Sequence, residues 1–292
     1  LAFCTLAVPR VIEPQGERSE VWRELRGFAA MLVAGLVCWL VLRALPWESL
    51  TTSRLARLMV DTVIIAVALV AAIFAARRVG FPSFVEPWNA FFSRERAFAL
   101  LALIILYKLG DAFAGALSTT FLIRGAGFSA AEVGAVNKVL GLIAAIVGVL
   151  AGGAWLARRP LAQTLMVFGI LQAVSNLGYW LVAVFPKNTA LMASAVALEN
   201  LCGGLGTAAF VAFLMALTDR RFSAAQYALL SALSAVGRIY VGPVSALLVE
   251  SLGWPVFFLF TVAAALPGLL LLAALTPTLN RLAPSPGSNP AA

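Results

Sequence analysis

Two charges of opposite sign, Lys108 and Asp111, stand close together inside LYKLGDAF. The surrounding chain, FALLALIILYKLGDAFAGALSTTFLI, is apolar nearly throughout. Three more ionisable residues have similar settings: Lys138 in AVNKVLG, Glu199 in VALENLCGGLG and Arg238 in SAVGRIYVG. An ionised group at the centre of a hydrocarbon span costs about 2.5–3.5 kcal/mol on insertion scales. Such groups must face one another or a wet cavity, and they mark routes for ions, protons or polar substrates. Lys108 and Asp111, at i and i+3, share one helix face. Lys108, Asp111, Glu199 and Arg238 together carry no net charge, and Lys138 adds one positive charge, which suits an anionic substrate. The competing reading is a set of static interhelical salt bridges. Buried pairs stabilise poorly compared with apolar packing, which favours a functional role.

Uncharged polar residues accompany these charges. Gln172 and Asn176 in FGILQAVSNLGYW are i and i+4, Asn137 adjoins Lys138, and Asn200 adjoins Glu199. Each could line a cavity or simply bond across helices, an interaction worth about 1 kcal/mol. Tyr107, Tyr179 and Tyr240 could stack on a sugar or serve as packing. Gly141, Ala145, Gly148 and Gly152 place small residues on one helix stripe, which permits close helix contact. Gly203, Gly204 and Gly206 follow Glu199 and suit either packing or a local bend.

Several chemistries are excluded. The chain has no histidine, so Ser-His catalysis, histidine-ligated metal and histidine proton relays are absent, and proton chemistry falls to carboxylates. Cys4, Cys38 and Cys202 lack metal-ligand spacing and read as small hydrophobes. No cofactor or metal is expected. The net charge of +8 sits at the ends of apolar runs without a basic, aromatic-interleaved patch, so nucleic acid is not a partner. An enzyme acting on a lipid-linked sugar would need acidic or histidine clusters near an interface, whereas these carboxylates lie mid-span.

The elements that hold these residues are membrane spans. Of 292 residues, 62% are hydrophobic and 12% charged, against about 25% charged in a typical soluble domain. Apolar runs of helix-spanning length recur along the whole chain, with no alternating barrel pattern. They predict spans at 27–46, 58–76, 97–123, 131–157, 160–185, 190–217, 224–249 and 254–276, and residues 1–8 read as the end of a preceding one. If residues 9–26 lie inside, the inside segments hold Arg10, Arg18, Arg23, Arg26, Arg77, Arg78, Arg94, Arg96, Arg158, Arg159, Arg220, Arg221 and Arg281. The outside segments hold only Arg43, Arg54, Arg57, Arg124 and Lys187, so the inside is cytoplasmic by the positive-inside rule.

The expected organisation is then a cytoplasmic linker at 9–26, an accessory helix pair at 27–76 and a cytoplasmic interfacial segment at 77–96. A six-helix transport bundle follows at 97–276, with a disordered cytoplasmic tail at 277–292. Residues 97–185 and 190–276 divide that bundle into triplets, with Lys108 and Asp111 in the first helix of one and Glu199 in the first helix of the other. Transporters built from three-helix repeats place substrate at such a repeat interface.

The segments LYKLGDAFAGALSTTFLIRGAGFSAAEVGAVNKVLGL, FGILQAVSNLGYWL, ALENLCGGLGTAAFVAFLMAL and FSAAQYALLSALSAVGRIYVGP resemble the AmpG muropeptide permeases of the major facilitator superfamily. The resemblance covers roughly 97–275 and implies the C-terminal half of that fold, with an N-terminal six-helix bundle missing, as the start at Leu1 within an apolar run also suggests. It implies proton-coupled import of anhydromuropeptides, anionic sugar-peptides released from peptidoglycan, across the bacterial inner membrane. It implies cavity roles for Lys108, Asp111, Asn137, Lys138, Glu199, Asn200 and Arg238. The helix pair 27–76 departs from members that join the halves by a loop, and is expected to pack outside the transport core. Another cargo, such as acetyl-coenzyme A, a siderophore or a drug, and a non-transporting membrane subunit remain alternatives.

Overall fold

Every regular element in the described residues is a helix, as the apolar runs require. The structure is a computed structural model that describes residues 18–47 and 54–283. The expected helix end at 1–8 and most of the linker 9–26 lie outside the described residues, as does 284–292.

The chain divides into two compact units: the residues up to Arg94 together with Asp219–Ala228, and Glu95–Thr218 together with the chain from Leu229 onward. In the first unit, α1 (Arg18–Arg43) and α2 (Arg54–Val79) pack as a pair. A Cβ at Gly35 would lie 3.2 Å from the Ala72 Cβ, so small residues set the approach. Helix α1 begins well before the expected 27, because RSEVWRELR continues the helix with polar residues. Arg43 and Asp61 are at the same end of the pair, joined by a 2.8 Å ion pair. The short helix α3 (Pro82–Phe92) opens with proline at its start, where a missing N–H costs nothing. Phe81, Phe84, Trp88 and Phe92 stack along it at helical spacing, with neighbouring ring centroids 6.3, 5.8 and 4.7 Å apart. The Gln226 amide closes this unit by donating to the Pro87 carbonyl (3.0 Å) and accepting from the Asp219 N–H (2.6 Å).

The second unit holds α4 (Ala97–Tyr107), α5 (Leu109–Thr120), α6 (Ala130–Val136), α7 (Leu142–Leu156), α8 (Leu161–Ser175), α9 (Leu177–Val184) and α10 (Thr189–Ala216). Helix α11 (Ser223–Leu282) follows. Capping explains several of the starts. Ser129 and Glu132 form a reciprocal capping box at α6, and the Asn188 side chain accepts from the Ala190 and Leu191 N–H groups at α10. Two stretches widen into π-helical turns, Phe121–Gly125 and Asn137–Gly141, extending α5 and joining α6 to α7.

Seven stretches among the described residues are long and apolar enough to cross a bilayer: Trp22–Arg43, Met59–Val79, Ala97–Gly125, Ala130–Leu156, Leu161–Val184, Thr189–Ala216 and Val241–Leu282. This is a polytopic all-α membrane protein. Eight spans were expected, and the two that fall within Ser223–Leu282 enter this count as the single stretch Val241–Leu282. The segments 224–249 and 254–276 are the two arms of α11, which meet at Gly253 with φ 76° and ψ 168°, a backbone that glycine adopts without strain. The helix also runs through Pro277 to Leu282, into the segment expected to be a disordered tail.

Candidate functional site

The polar residues of the second unit gather where two of its spans are interrupted. One span is split at Lys108 (φ −97°, ψ 6°), between α4 and α5. Another is split at Asn176, between α8 and α9. Around the first break the backbones crowd together. A Cβ at Gly110 would lie 2.8 Å from the Thr261 carbonyl oxygen, and one at Gly268 would lie 2.7 Å from that of Leu106. Only glycine permits this approach, so α4 and α5 are clamped to the second arm of α11 on both sides of Lys108.

The Lys108 ammonium donates to Asp111 Oδ2 at 3.5 Å and to Gln172 Oε1 at 3.3 Å. The lysine side chain is 11% exposed and the aspartate 29%, so the pair opens on its anionic side. The third participant comes from α8, and its position depends on α10. A Cβ at Gly206 would come 2.6 Å from Gln172 Oε1 and 3.5 Å from Lys108 Nζ. The missing side chain at Gly206 is therefore the room these polar atoms occupy.

Glu199 on α10 accepts a hydrogen bond from the Tyr179 hydroxyl on α9. Tyr179 is fully buried, stacked on Phe258 with ring centroids 5.4 Å apart and edge-on to Phe121 at 6.4 Å. That aromatic wall holds the hydroxyl in place. Asp111, Glu199 and Asn200 line one cavity of about 260 Å³, with Ala145, Val149, Gly203, Gly204 and Thr207 as its remaining walls. Asn200 spends its amide N–H on the Val196 carbonyl (2.8 Å), leaving its carbonyl as acceptor.

The stripe of small residues on α7 meets α10 beside this cavity. A Cβ at Gly148 would overlap the Leu201 carbonyl oxygen and lie 3.1 Å from Gly204 Cα. One at Gly152 would lie 3.0 Å from the Ala208 Cβ. The two helices therefore touch backbone to backbone, and the glycines expected to allow either packing or a bend are used for packing: α10 runs unbroken from Thr189 to Ala216.

Among the residues singled out in the sequence, Lys108, Asp111 and Gln172 form one cluster, and Asp111, Glu199 and Asn200 share the cavity. Asn176 is buried, and both polar atoms of its amide, like Gln172 Nε2, have no hydrogen-bond partner among the described residues. A buried polar group without a partner costs about 1–3 kcal/mol. Asn137 sits half-buried in the second π-helical turn, next to the exposed Lys138. Arg238 is exposed on the first arm of α11 and does not line the cavity. Tyr107 is packing: it stacks on Phe210 at 5.8 Å and donates to the Leu165 carbonyl at 2.9 Å. Sequence reasoning missed Tyr179 as the partner of Glu199. A signal was present, since Gln172, Asn176 and Tyr179 follow i, i+4, i+7 and so form one polar stripe. The His/Cys/Asp/Glu groupings of the described residues offer no metal site.

No protein-family model matches the chain. It is 51% identical over 256 residues to the anhydromuropeptide permease of Escherichia coli K12, covering 86% of this chain and 51% of that protein. The permease of Escherichia coli O157:H7 matches with the same figures. A Rickettsia conorii protein carrying the name AmpG 4 is 36% identical over 197 residues, covering 67% of this chain and 47% of its own length. The chain thus spans about half the length of the curated relatives it matches. Over that shared length, it is a homologue of the anhydromuropeptide permeases, the AmpG transporters.

Proposed function

We propose that this chain provides part of a proton-coupled carrier that moves anhydromuropeptides across the bacterial inner membrane into the cytoplasm, with its own C-terminus cytoplasmic. The reading makes it a carrier and not an enzyme. The observation that carries it is the open cleft that Asp111, Glu199 and Asn200 line together on an otherwise apolar helical unit. Polar surface of that kind is expensive in a membrane and is retained where something polar must pass. Similarity to the permeases supports the choice of cargo.

At about 260 Å³ the cavity is smaller than the sites of about 300–1,000 Å³ that enclose drug-sized ligands. A disaccharide-peptide would fill it with one portion only, and a second six-helix bundle would face the remainder. Rocking of the two bundles would expose the cargo to each side in turn. The Lys108 ammonium would attract cargo carboxylates once Asp111 is protonated or displaced. Lys138 and Arg238 would meet anionic groups from the exposed faces of their helices, with Asn137, Gln172, Asn176 and Asn200 as uncharged partners. Glu199, held by Tyr179, and Asp111 are the two carboxylates placed to take up and release protons.

Uptake of labelled anhydromuropeptide into proteoliposomes, driven by an imposed proton gradient, tests this. Glu199→Gln or Asp111→Asn should abolish gradient-driven accumulation. Undiminished accumulation in both variants would remove proton coupling from these residues, and absence of uptake by the complete carrier that contains this chain, unsubstituted, would remove the cargo assignment.

A further inference from the structure

The Lys108 ammonium has two partners of different kinds, and they stand in different places. Asp111, whose Oδ2 is 3.5 Å away, is charged and lines the cleft. Gln172, whose Oε1 is 3.3 Å away, is neutral, only 4% exposed and not among the described lining residues. The ammonium is therefore held between a charged partner on the cleft and a neutral partner within the helix packing. Lysine carries its charge on a flexible four-carbon stem, so a single partner on the cleft side would leave it free to turn once that partner lets go. A neutral acceptor keeps it in place without offsetting its charge. Because the donor is ionised, that hydrogen bond is roughly twice as strong as one between neutral groups.

Helix α10 leaves the space for this contact. A Cβ at Gly206 would come within 2.6 Å of Gln172 Oε1, so the first thing a methyl there displaces is the far end of the glutamine. We propose that Gln172 is a positioning residue for cargo selectivity: it holds the Lys108 ammonium at the cleft for a carboxylate of the cargo, in the room that Gly206 provides. The proposal rests on the carrier reading above and narrows it. A cargo carboxylate takes the place of Asp111 on Lys108, and Gln172 acts through the lysine alone.

Binding to the detergent-solubilised complete carrier that contains this chain tests it. The probes are labelled anhydromuropeptide and its analogue with every carboxylate converted to carboxamide. The unsubstituted carrier should prefer the acid form by about tenfold or more. Gln172→Met, of similar length but without the amide oxygen, should weaken binding of the acid form about tenfold, the factor that loss of one charged hydrogen bond carries, and that of the carboxamide less than about twofold. Gln172→Glu should also weaken the acid form, because a second carboxylate offsets the charge of Lys108. Gly206→Ala should repeat the effect of Gln172→Met, and the double variant should bind no worse than either single one. Gly153→Ala, whose Cβ meets nothing within 4 Å, should bind both probes as the unsubstituted carrier does. Equal losses for the two probes in Gln172→Met, or additive losses in the double variant, overturn the proposal and leave the cargo reading standing. An unsubstituted carrier that binds neither probe overturns both. Should Gln172→Met fail to fold, Gly206→Ala decides: loss confined to the acid form supports the proposal, and equal loss of both forms overturns it.

Discussion

Replacing Gly148 by alanine adds one methyl group at the point where α7 and α10 touch. The new Cβ would overlap the Leu201 carbonyl oxygen and press on Gly204 Cα, both backbone atoms that cannot swing aside. Relief requires the helices to separate by about 1 Å, and forcing a methyl into a packed contact costs about 1–3 kcal/mol. On the same helix, a Cβ at Gly153 meets nothing within 4 Å. Gly153→Ala should therefore be neutral or gain up to about 1 kcal/mol from better helix propensity. The pair of substitutions thus predicts opposite signs from identical chemistry. The assay is thermal unfolding of the purified protein in detergent, followed by loss of the monomer peak after heating. Gly148→Ala should lower the midpoint by several degrees, at about 2–4 °C per kcal/mol for a chain of this class. Gly148→Ala should also depress transport, because Ala145, Val149 and Gly204 beside this contact are cavity walls. Equal midpoints for the two variants, or a greater loss in Gly153→Ala, would refute the backbone-contact reasoning.

Three further outcomes follow from the same geometry. Lys108→Met strands Asp111 and Gln172 and should cost about 2 kcal/mol, less than a fully buried pair because the aspartate is partly solvated; the double variant Lys108→Met/Asp111→Leu should recover most of that loss in the same unfolding assay. Asn176→Leu removes a buried amide whose polar atoms lack partners, so it should raise thermal stability while reducing uptake; a fall in stability would show that the amide is satisfied in the resting protein. At the turn Arg220–Phe222, hydrogen bonds from Arg221 hold the Asp219 carboxyl at a pKa of about 2, below its ordinary value. A depressed carboxylate stabilises above its unfolded pKa of about 3.9. Protection of the Arg221 amide from hydrogen exchange should therefore hold at neutral pH and fade only as pH drops from about 4 toward about 2.

The spans were legible because apolar runs of sufficient length admit few other structures in a bilayer. The Lys108–Asp111 contact was legible because i, i+3 spacing fixes a shared face whatever the surroundings. The shared cavity of Asp111 and Glu199 was less accessible, since it depends on how α5 and α10 are rotated, and near-uniform apolarity hides a helix's buried side. The same uniformity concealed that Lys138 and Arg238 are exposed while Gln172 is buried. The breaks at Lys108 and Asn176 carry no proline or glycine at the break itself, so local propensity gave no warning. The break at Lys108 lies between the two close backbone approaches at Gly110 and Gly268, which are tertiary contacts. The join at Gly253 was visible as the gap between the expected spans 224–249 and 254–276, and two helices do meet there at a kink.

If polar cargo passes through the cavity bounded by Asp111, Glu199 and Asn200, it must cover that cavity's walls. Thr207, on its wall and exposed, offers a direct probe. With Cys4, Cys38 and Cys202 replaced by alanine, Thr207→Cys in membrane vesicles should react with a small hydrophilic thiol reagent, and anhydromuropeptide should slow that reaction about tenfold or more. A cysteine there that never reacts, or reacts at the same rate with and without saturating cargo, would contradict passage through this cavity.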